Sequence, residues 1–151
     1  GARVSNETLL SGPGLERLHG ALRRRQDRAP GHLPAAGIFA RAGDGDAACA
    51  ATLALWFRLL GQVAGDLVLA LGAWDGLYLT GCVLQRNPEA LDAAAFRAGF
   101  EAKAPHEELL RRVPTALVTH PFPGLVGAAV LARRLAAPRQ VGDSSPPPST
   151  P

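Results

Sequence analysis

The chain has 151 residues, 47% of them apolar and 19% charged, with 17 Gly and 13 Pro. That is enough for one domain with a real core and too little for two large ones, and the apolar share excludes a fibrous or wholly disordered chain. A net charge of +3, with aromatics at 5%, argues against a nucleic-acid face, which combines a strong basic stripe with interleaved aromatics.

Methionine is absent and the chain starts at Gly1; no signal-peptide pattern is seen, so the sequence is expected to be part of a longer chain, with the cytoplasm as default compartment. Residues 1–11 (GARVSNETLLS) read as a short extended piece that leads into a turn at Gly12-Pro13-Gly14. Ser11 is placed to cap a helix, and Pro13 suits a first helical turn, where its missing N–H costs nothing. Leu15, Leu18 and Leu22 recur at three- and four-residue spacing opposite Glu16, Arg17, Arg23 and Arg24, which predicts an amphipathic helix. Residues 26–45 hold Pro30, Gly31, Pro34, Gly37, Gly43 and Gly45, too many breakers for one long element, with Ile38 and Phe39 anchoring a short helical turn.

After Asp46, the positions Ala50, Leu53, Phe57, Leu60, Ala64, Leu67 and Leu71 step by three and four, the seam of a helix about 40 Å long. Arg58, Gln62 and Asp66 interrupt it, so a buried core helix is expected and not a membrane span. Gly61 and Gly65 offer a place where another element can come close. Past Gly72 the apolar run 77–84 (LYLTGCVL) predicts a buried strand stopped by Asn87-Pro88. Residues 89–101 predict a helix with Leu91, Ala95, Phe96 and Phe100 inward, residues 106–112 a shorter one, and residues 115–119 a strand. A last helix runs from Pro123-Gly124 to Leu135. The basic clusters Arg23-Arg24-Arg25, Arg111-Arg112 and Arg133-Arg134 fall at helix C-termini, where cations offset the macrodipole. The segment 137–151 is rich in Pro and Ser and is expected to be a disordered tail. Alternating elements argue for an α/β class, and three short strands make an incomplete sheet.

Chemistry is sparse. Cys49 and Cys82 have no partner at ligand spacing, the four histidines are scattered, and no metal site is expected. Phosphate-loop, dinucleotide-loop, zinc-protease, nucleophile-elbow and redox-dithiol motifs are all missing.

Four blocks carry a resemblance: Glu7-x-Leu9-Leu10-Ser11-Gly12-Pro13-Gly14-Leu15; Gly72 to Val83 (GAWDGLYLTGCV); Phe96-Arg97-Ala98-Gly99-Phe100-Glu101-x-Lys103; and Pro123-Gly124-Leu125-x-Gly127-Ala128. In this order and with this spacing the chain resembles the C-terminal half of bacterial ATP-dependent glucokinases over residues 3–136. The resemblance implies a partial actin-like ATPase (ribonuclease H-like) fold, with residues 1–136 as the C-terminal lobe of a two-lobed sugar kinase. It implies glucose and ATP, with Mg2+, as the ligands of the complete enzyme. In that family a Glu before the S-G-P-G turn bonds the sugar hydroxyls, a role that falls on Glu7. Gly76, Gly81 and Cys82 fall on the strand and corner that border the adenosine moiety. Cys82 stands where the family has the second glycine of a pair, and Asp75 replaces another, so the Cys82 thiol either crowds the nucleotide or turns into the core.

The family's general base, phosphate loops and Mg2+-associated acid match no residue here. The chain alone is therefore expected to be inactive, with no catalytic residue of its own. The resemblance also implies that the apolar face of the final helix is exposed in isolation, and dimerisation is common in the family. A related repressor–kinase group typically carries a zinc-binding cysteine cluster, absent here. A non-catalytic sugar-sensing or partner-binding relic is the alternative that the Cys82 and Asp75 departures keep open.

Overall fold

The computed structural model describes residues 4–27 and 32–136, so the proposed tail lies outside the described residues. Two compact units follow one another, the first ending at Thr119 and the second starting at His120.

In the first unit the chain runs α1 (Asn6–Leu10), α2 (Gly12–Arg25), α3 (Ala35–Gly43), α4 (Ala47–Leu71), β1 (Leu77–Leu79), α5 (Cys82–Arg86), a 3-10 turn, α6 (Ala93–Glu101), α7 (Glu107–Arg112) and β2 (Thr115–Leu117). β1 and β2 are parallel, with Leu77 opposite Thr115 and Leu79 opposite Leu117. The described residues are thus mostly helical around a two-stranded parallel sheet, and not the three strands that the sequence suggests.

The first expected strand is the helix α1. Ser5 Oγ accepts from Thr8 N at 3.2 Å while Thr8 Oγ1 accepts from Ser5 N at 3.3 Å, a capping box built with Thr where Glu or Gln is usual. α2 starts as predicted, with Ser11 Oγ accepting from Gly14 N at 3.2 Å. α3 is a full nine-residue helix where the sequence suggests a turn. Its own N-cap is Pro34, with no side-chain acceptor; Glu16 of α2 fills that role by accepting from Ala35 N at 3.0 Å.

α4 is the long helix that the periodicity predicts. Asp46 caps it, accepting from Ala48 N at 2.8 Å and Cys49 N at 3.0 Å. The Cys49 N–H, with that of Ala48, holds the Asp46 carboxyl below the usual carboxylate range. Gly72, at φ 63°, ends the helix in the left-handed region. The buried face, however, rotates away from the predicted seam. Leu53, Phe57 and Ala64 are buried, but Ala50, Leu67 and Leu71 are exposed, and Trp56, Gly61, Gly65 and Val68 take the inner positions. A straight helix drifts about 20° per heptad against a 3.5-residue repeat, so three heptads turn the far end by about 60°.

Glycines make the central crossing. A Cβ on Gly61 would overlap Phe96 O, one on Gly65 would come within 2.5 Å of Phe100 O, and one on Gly99 would overlap Arg58 O. α4 and α6 therefore touch backbone to backbone, with Phe57, Phe96 and Phe100 sealed around the contact at 0–2% exposure. α4 is also long and apolar enough to cross a membrane, with a mean hydropathy of 1.5 in its best window; its glycine face is packed against α6, and Arg58 and Asp66 are exposed.

Arg97 ties α6 to α7. Its guanidinium donates to Val113 O at 3.0 Å, Leu110 O at 3.1 Å and Arg111 O at 3.2 Å, carbonyls at the α7 C-terminus. It also pairs with Glu101 at 2.7 Å and lies 4.8 Å from the Phe100 ring centroid.

The second unit contributes α8 (Pro123–Ala136). Leu125, Val126, Leu131 and Leu135 on it are 46–77% exposed, which matches the apolar face expected there.

Candidate functional site

Glu7 lies in the first turn of α1 and is exposed. A five-residue helix cannot hold itself, and this one is held from outside. Arg17 Nη1 of α2 donates to Thr8 O at 3.2 Å, and Trp56 Nε1 of α4 donates to Leu9 O at 3.0 Å. The carboxylate thus projects from a fixed corner, open to a ligand.

Gly76 and Gly81 flank β1. Gly76 has φ 145°, a conformation that L side chains rarely adopt, and Leu77 N donates to Pro114 O at 2.9 Å beside it. A Cβ there would meet Pro114 Cγ at 3.3 Å, so Gly76 serves the local packing. Gly81 has φ 134° and open space where a Cβ would stand, the geometry of a corner that a ligand can approach. β1 ends at Leu79, and Cys82 is the first residue of α5, where the sequence suggests that one strand continues through both. The reason is the positive φ at Gly81, which breaks the extended chain. Cys82 is exposed, so its thiol does not turn into the core.

A Cβ on Gly12 would lie 3.9 Å from Ala35 Cβ and 4.0 Å from Val83 Cγ2, which sets the start of α2 against the α5 turn that follows Gly81. The start of α2, which follows the Glu7 helix, is thus packed against α5, which follows Gly81.

One groove lies elsewhere, between α3, α4 and residues 87–92. It encloses about 540 Å³ over Ala36, Phe39, Ala40 and Leu53, with Asn87 and Glu89 at its rim. Glu7, Gly76, Gly81 and Cys82 do not line it.

Among the histidines, His19 is buried at 2% exposure. Its Nδ1 lies 2.9 Å from Thr52 Oγ1, and that hydroxyl donates to Ala48 O at 2.8 Å. Because the hydroxyl proton is committed to Ala48, Nδ1 is the donor in this pair. Burial, followed by the Arg23 charge, lowers the His19 pKa. The pair joins α2 to α4 and is part of the core. No group of three or more His, Cys, Asp or Glu side chains able to hold a metal ion occurs among the described residues.

Sequence reasoning singles out Glu7 and the glycine corner as candidates and does not single out Arg17 and Trp56, the side chains that hold α1. Neither gives a local signal, because each acts on a carbonyl far away along the chain or on a neighbouring helix.

Comparison with known proteins bears on the whole arrangement. The family profile described as Glucokinase matches residues 1–135. The chain is 44% identical over 131 residues to a glucokinase of Xylella fastidiosa (strain M12), covering 87% of this chain and 39% of that protein. It is 43% identical over 130 residues to a glucokinase of Xanthomonas campestris pv. campestris (strain B100), covering 86% of this chain and 39% of that protein. A crystal structure of glucokinase from an Antarctic psychrotroph superimposes with a TM-score of 0.78 at 37% identity, covering 87% of this chain and 41% of the other. The chain thus spans about two fifths of the length of these relatives.

Proposed function

The chain belongs to the glucokinase family, and from that premise we propose that the natural polypeptide carrying it transfers the γ-phosphoryl group of ATP to glucose, with Glu7 binding the sugar. The observation that carries this reading is the Glu7 corner: an exposed carboxylate on a short helix pinned by Arg17 and Trp56. A carboxylate accepts from two adjacent hydroxyls with charge-assisted strength, and a fixed one loses little ordering entropy on binding.

Gly81 and Cys82 border the adenosine moiety in this reading, and Gly76 sets the start of the strand that leads to them. The open space at Gly81 supports close approach of a ligand there. Cys82 lies at the same corner, exposed, and in this reading its thiol borders the nucleotide.

Phosphoryl transfer depends on positioning and on stabilising charge around the γ-phosphate. Residues 1–151 supply the sugar carboxylate and the adenosine corner. The base and the phosphate-cradling groups that the family uses match none of them. In this reading the enzyme works in the cytoplasm, with glucose and ATP as its ligands and a homodimer as the family's common state.

The test is glucose-dependent ADP formation by the natural polypeptide and by its Glu7→Gln variant. The amide keeps the shape and loses the charge, so glucose KM should rise roughly tenfold or more, the scale of one charge-assisted hydrogen bond or two. An unchanged glucose KM would refute the role of Glu7, and absence of glucose-dependent ADP formation would refute the activity.

A further inference from the structure

We propose that Gly14, Arg17 and Trp56 are positioning residues for Glu7, setting the place of its carboxylate through the two backbone carbonyls that follow it. The proposal rests on the reading of Glu7 as the sugar ligand.

Thr8 O and Leu9 O belong to the last turn of α1, where carbonyls have no partner inside the helix. Each is taken by a side chain from a different element. Arg17 Nη1, one turn into α2, donates to Thr8 O at 3.2 Å. Trp56 Nε1, from the middle of α4, donates to Leu9 O at 3.0 Å, and Trp56 is only 2% exposed. Gly14 completes the grip by sterics: a Cβ there would overlap Leu9 O and lie 2.6 Å from Thr8 O. Those neighbours are backbone atoms and cannot swing aside, so any side chain at this position drives α2 and α1 apart.

All three contacts converge on the residues directly after Glu7. With an axial rise of 1.5 Å per residue, Glu7 is within one turn of both gripped carbonyls, and a shift of the peptide plane at Thr8 or Leu9 is passed directly to its Cα. The glycines of the Ser11-Gly12-Pro13-Gly14 turn consequently have different jobs. A methyl group on Gly12 would meet its nearest neighbours at 3.9 and 4.0 Å, ordinary contact distances, whereas Gly14 has no room for one.

Steady-state kinetics of the natural polypeptide, with glucose and ATP varied separately, tests the proposal. Trp56→Phe keeps the ring and removes the N–H; Arg17→Met keeps the stem and removes the fork. Each should raise glucose KM roughly threefold to tenfold, the scale of one lost hydrogen bond, and leave ATP KM unchanged. Gly14→Ala should raise glucose KM at least as much, and Gly12→Ala should leave it within about twofold, since only the first forces backbone to move. If Gly14→Ala does not fold, the two side-chain variants decide. Glucose KM unchanged in both Trp56→Phe and Arg17→Met, or glucose and ATP KM raised by the same factor, overturns the positioning role. Glu7→Gln, measured in parallel, separates the two levels: if it raises glucose KM while Trp56→Phe and Arg17→Met do not, positioning alone fails; if it leaves glucose KM unchanged, the sugar reading and the positioning role fail together.

Discussion

The backbone contact between α4 and α6 gives a prediction whose sign runs against ordinary helix propensity. Gly61 lies in the interior of α4, where replacing Gly by Ala favours an exposed helix by roughly 0.5–1 kcal/mol. Here the added methyl would overlap Phe96 O and approach Phe100 N at 2.8 Å. Backbone atoms cannot rotate away, so the helices must separate, and Phe96 and Phe100, 2% and 0% exposed, lose contacts on the side that opens. Overpacking typically costs about 1–3 kcal/mol, and a radial gap of 0.5–1 Å forfeits a quarter to a half of each contact well. After the propensity gain is subtracted, Gly61→Ala should destabilise the protein by about 1–2 kcal/mol, or roughly 2–8 °C in Tm for a protein of this size. Gly20→Ala in α2 is the matched control. Its methyl would meet only Arg24 Nη1 at 3.6 Å, the far end of a flexible side chain, so Tm should stay level or rise. Thermal unfolding followed by circular dichroism reads both. A Gly61→Ala protein as stable as the parent would refute the backbone-contact argument.

Two further outcomes follow from titratable groups. His19 has its pKa lowered from an ordinary value of 6.5 by burial and then by Arg23, with Asp46 acting in the opposite direction and Arg41 in the same one. The unfolded chain therefore binds this proton more readily than the folded chain, so the stability tied to neutral His19 is complete above about pH 6.5 and is lost as pH falls through the lower folded pKa. His19→Gln should flatten the stability profile just below about pH 6.5, and an unchanged slope there would count against a neutral buried His19. Of the two free thiols, Cys49 is buried at 1% exposure with its pKa raised by that burial, and Cys82 is exposed. A maleimide should accordingly label Cys82 alone in the native protein, and ATP should slow that labelling in the natural polypeptide; equal rates with and without ATP would remove Cys82 from the nucleotide corner.

Much of the helical frame is legible because it rests on local signals. Asp46 and Gly72 bracket α4, Ser11 starts α2, and Pro114 ends α7, each by chemistry confined to a few neighbouring residues. The misreadings arise where distant parts decide. α1 looks extended because five residues have no periodicity to show, and its anchors, Arg17 and Trp56, come from other helices. α3 looks too broken for a helix because its cap is not local but Glu16. The strand through Gly81 looks continuous because apolarity along 77–84 does not report a backbone reversal, whereas φ 134° does. Gly61 and Gly65 are visible as candidates for close approach, but their partner Gly99 becomes meaningful only once α6 is laid across α4. The same division holds at the site: the type of residue at 7 and 81 is readable in sequence, and the way Glu7 is held is tertiary.

The blocks that carry the family resemblance separate in the structure into two kinds. In Phe96–Lys103 nearly every matching residue serves packing or pairing. Phe96 and Phe100 close the crossing, Gly99 permits it, Arg97 caps α7, and Lys103 pairs with Asp66 of α4 at 2.6 Å. That block argues for the fold and is silent on chemistry, since a protein could keep all of it and bind no sugar. The Glu7–Leu15 block is different. Gly14, Ser11 and Leu15 serve packing and capping, but Glu7 is exposed in the first turn of α1 and ties it to no other element among the described residues. An exposed carboxylate, set on a corner that three other residues hold still, is the residue on which a functional claim for this chain has to rest. It is also why the kinetics of Glu7 variants and of the side chains that grip α1 discriminate more sharply than any stability measurement on the α4–α6 core.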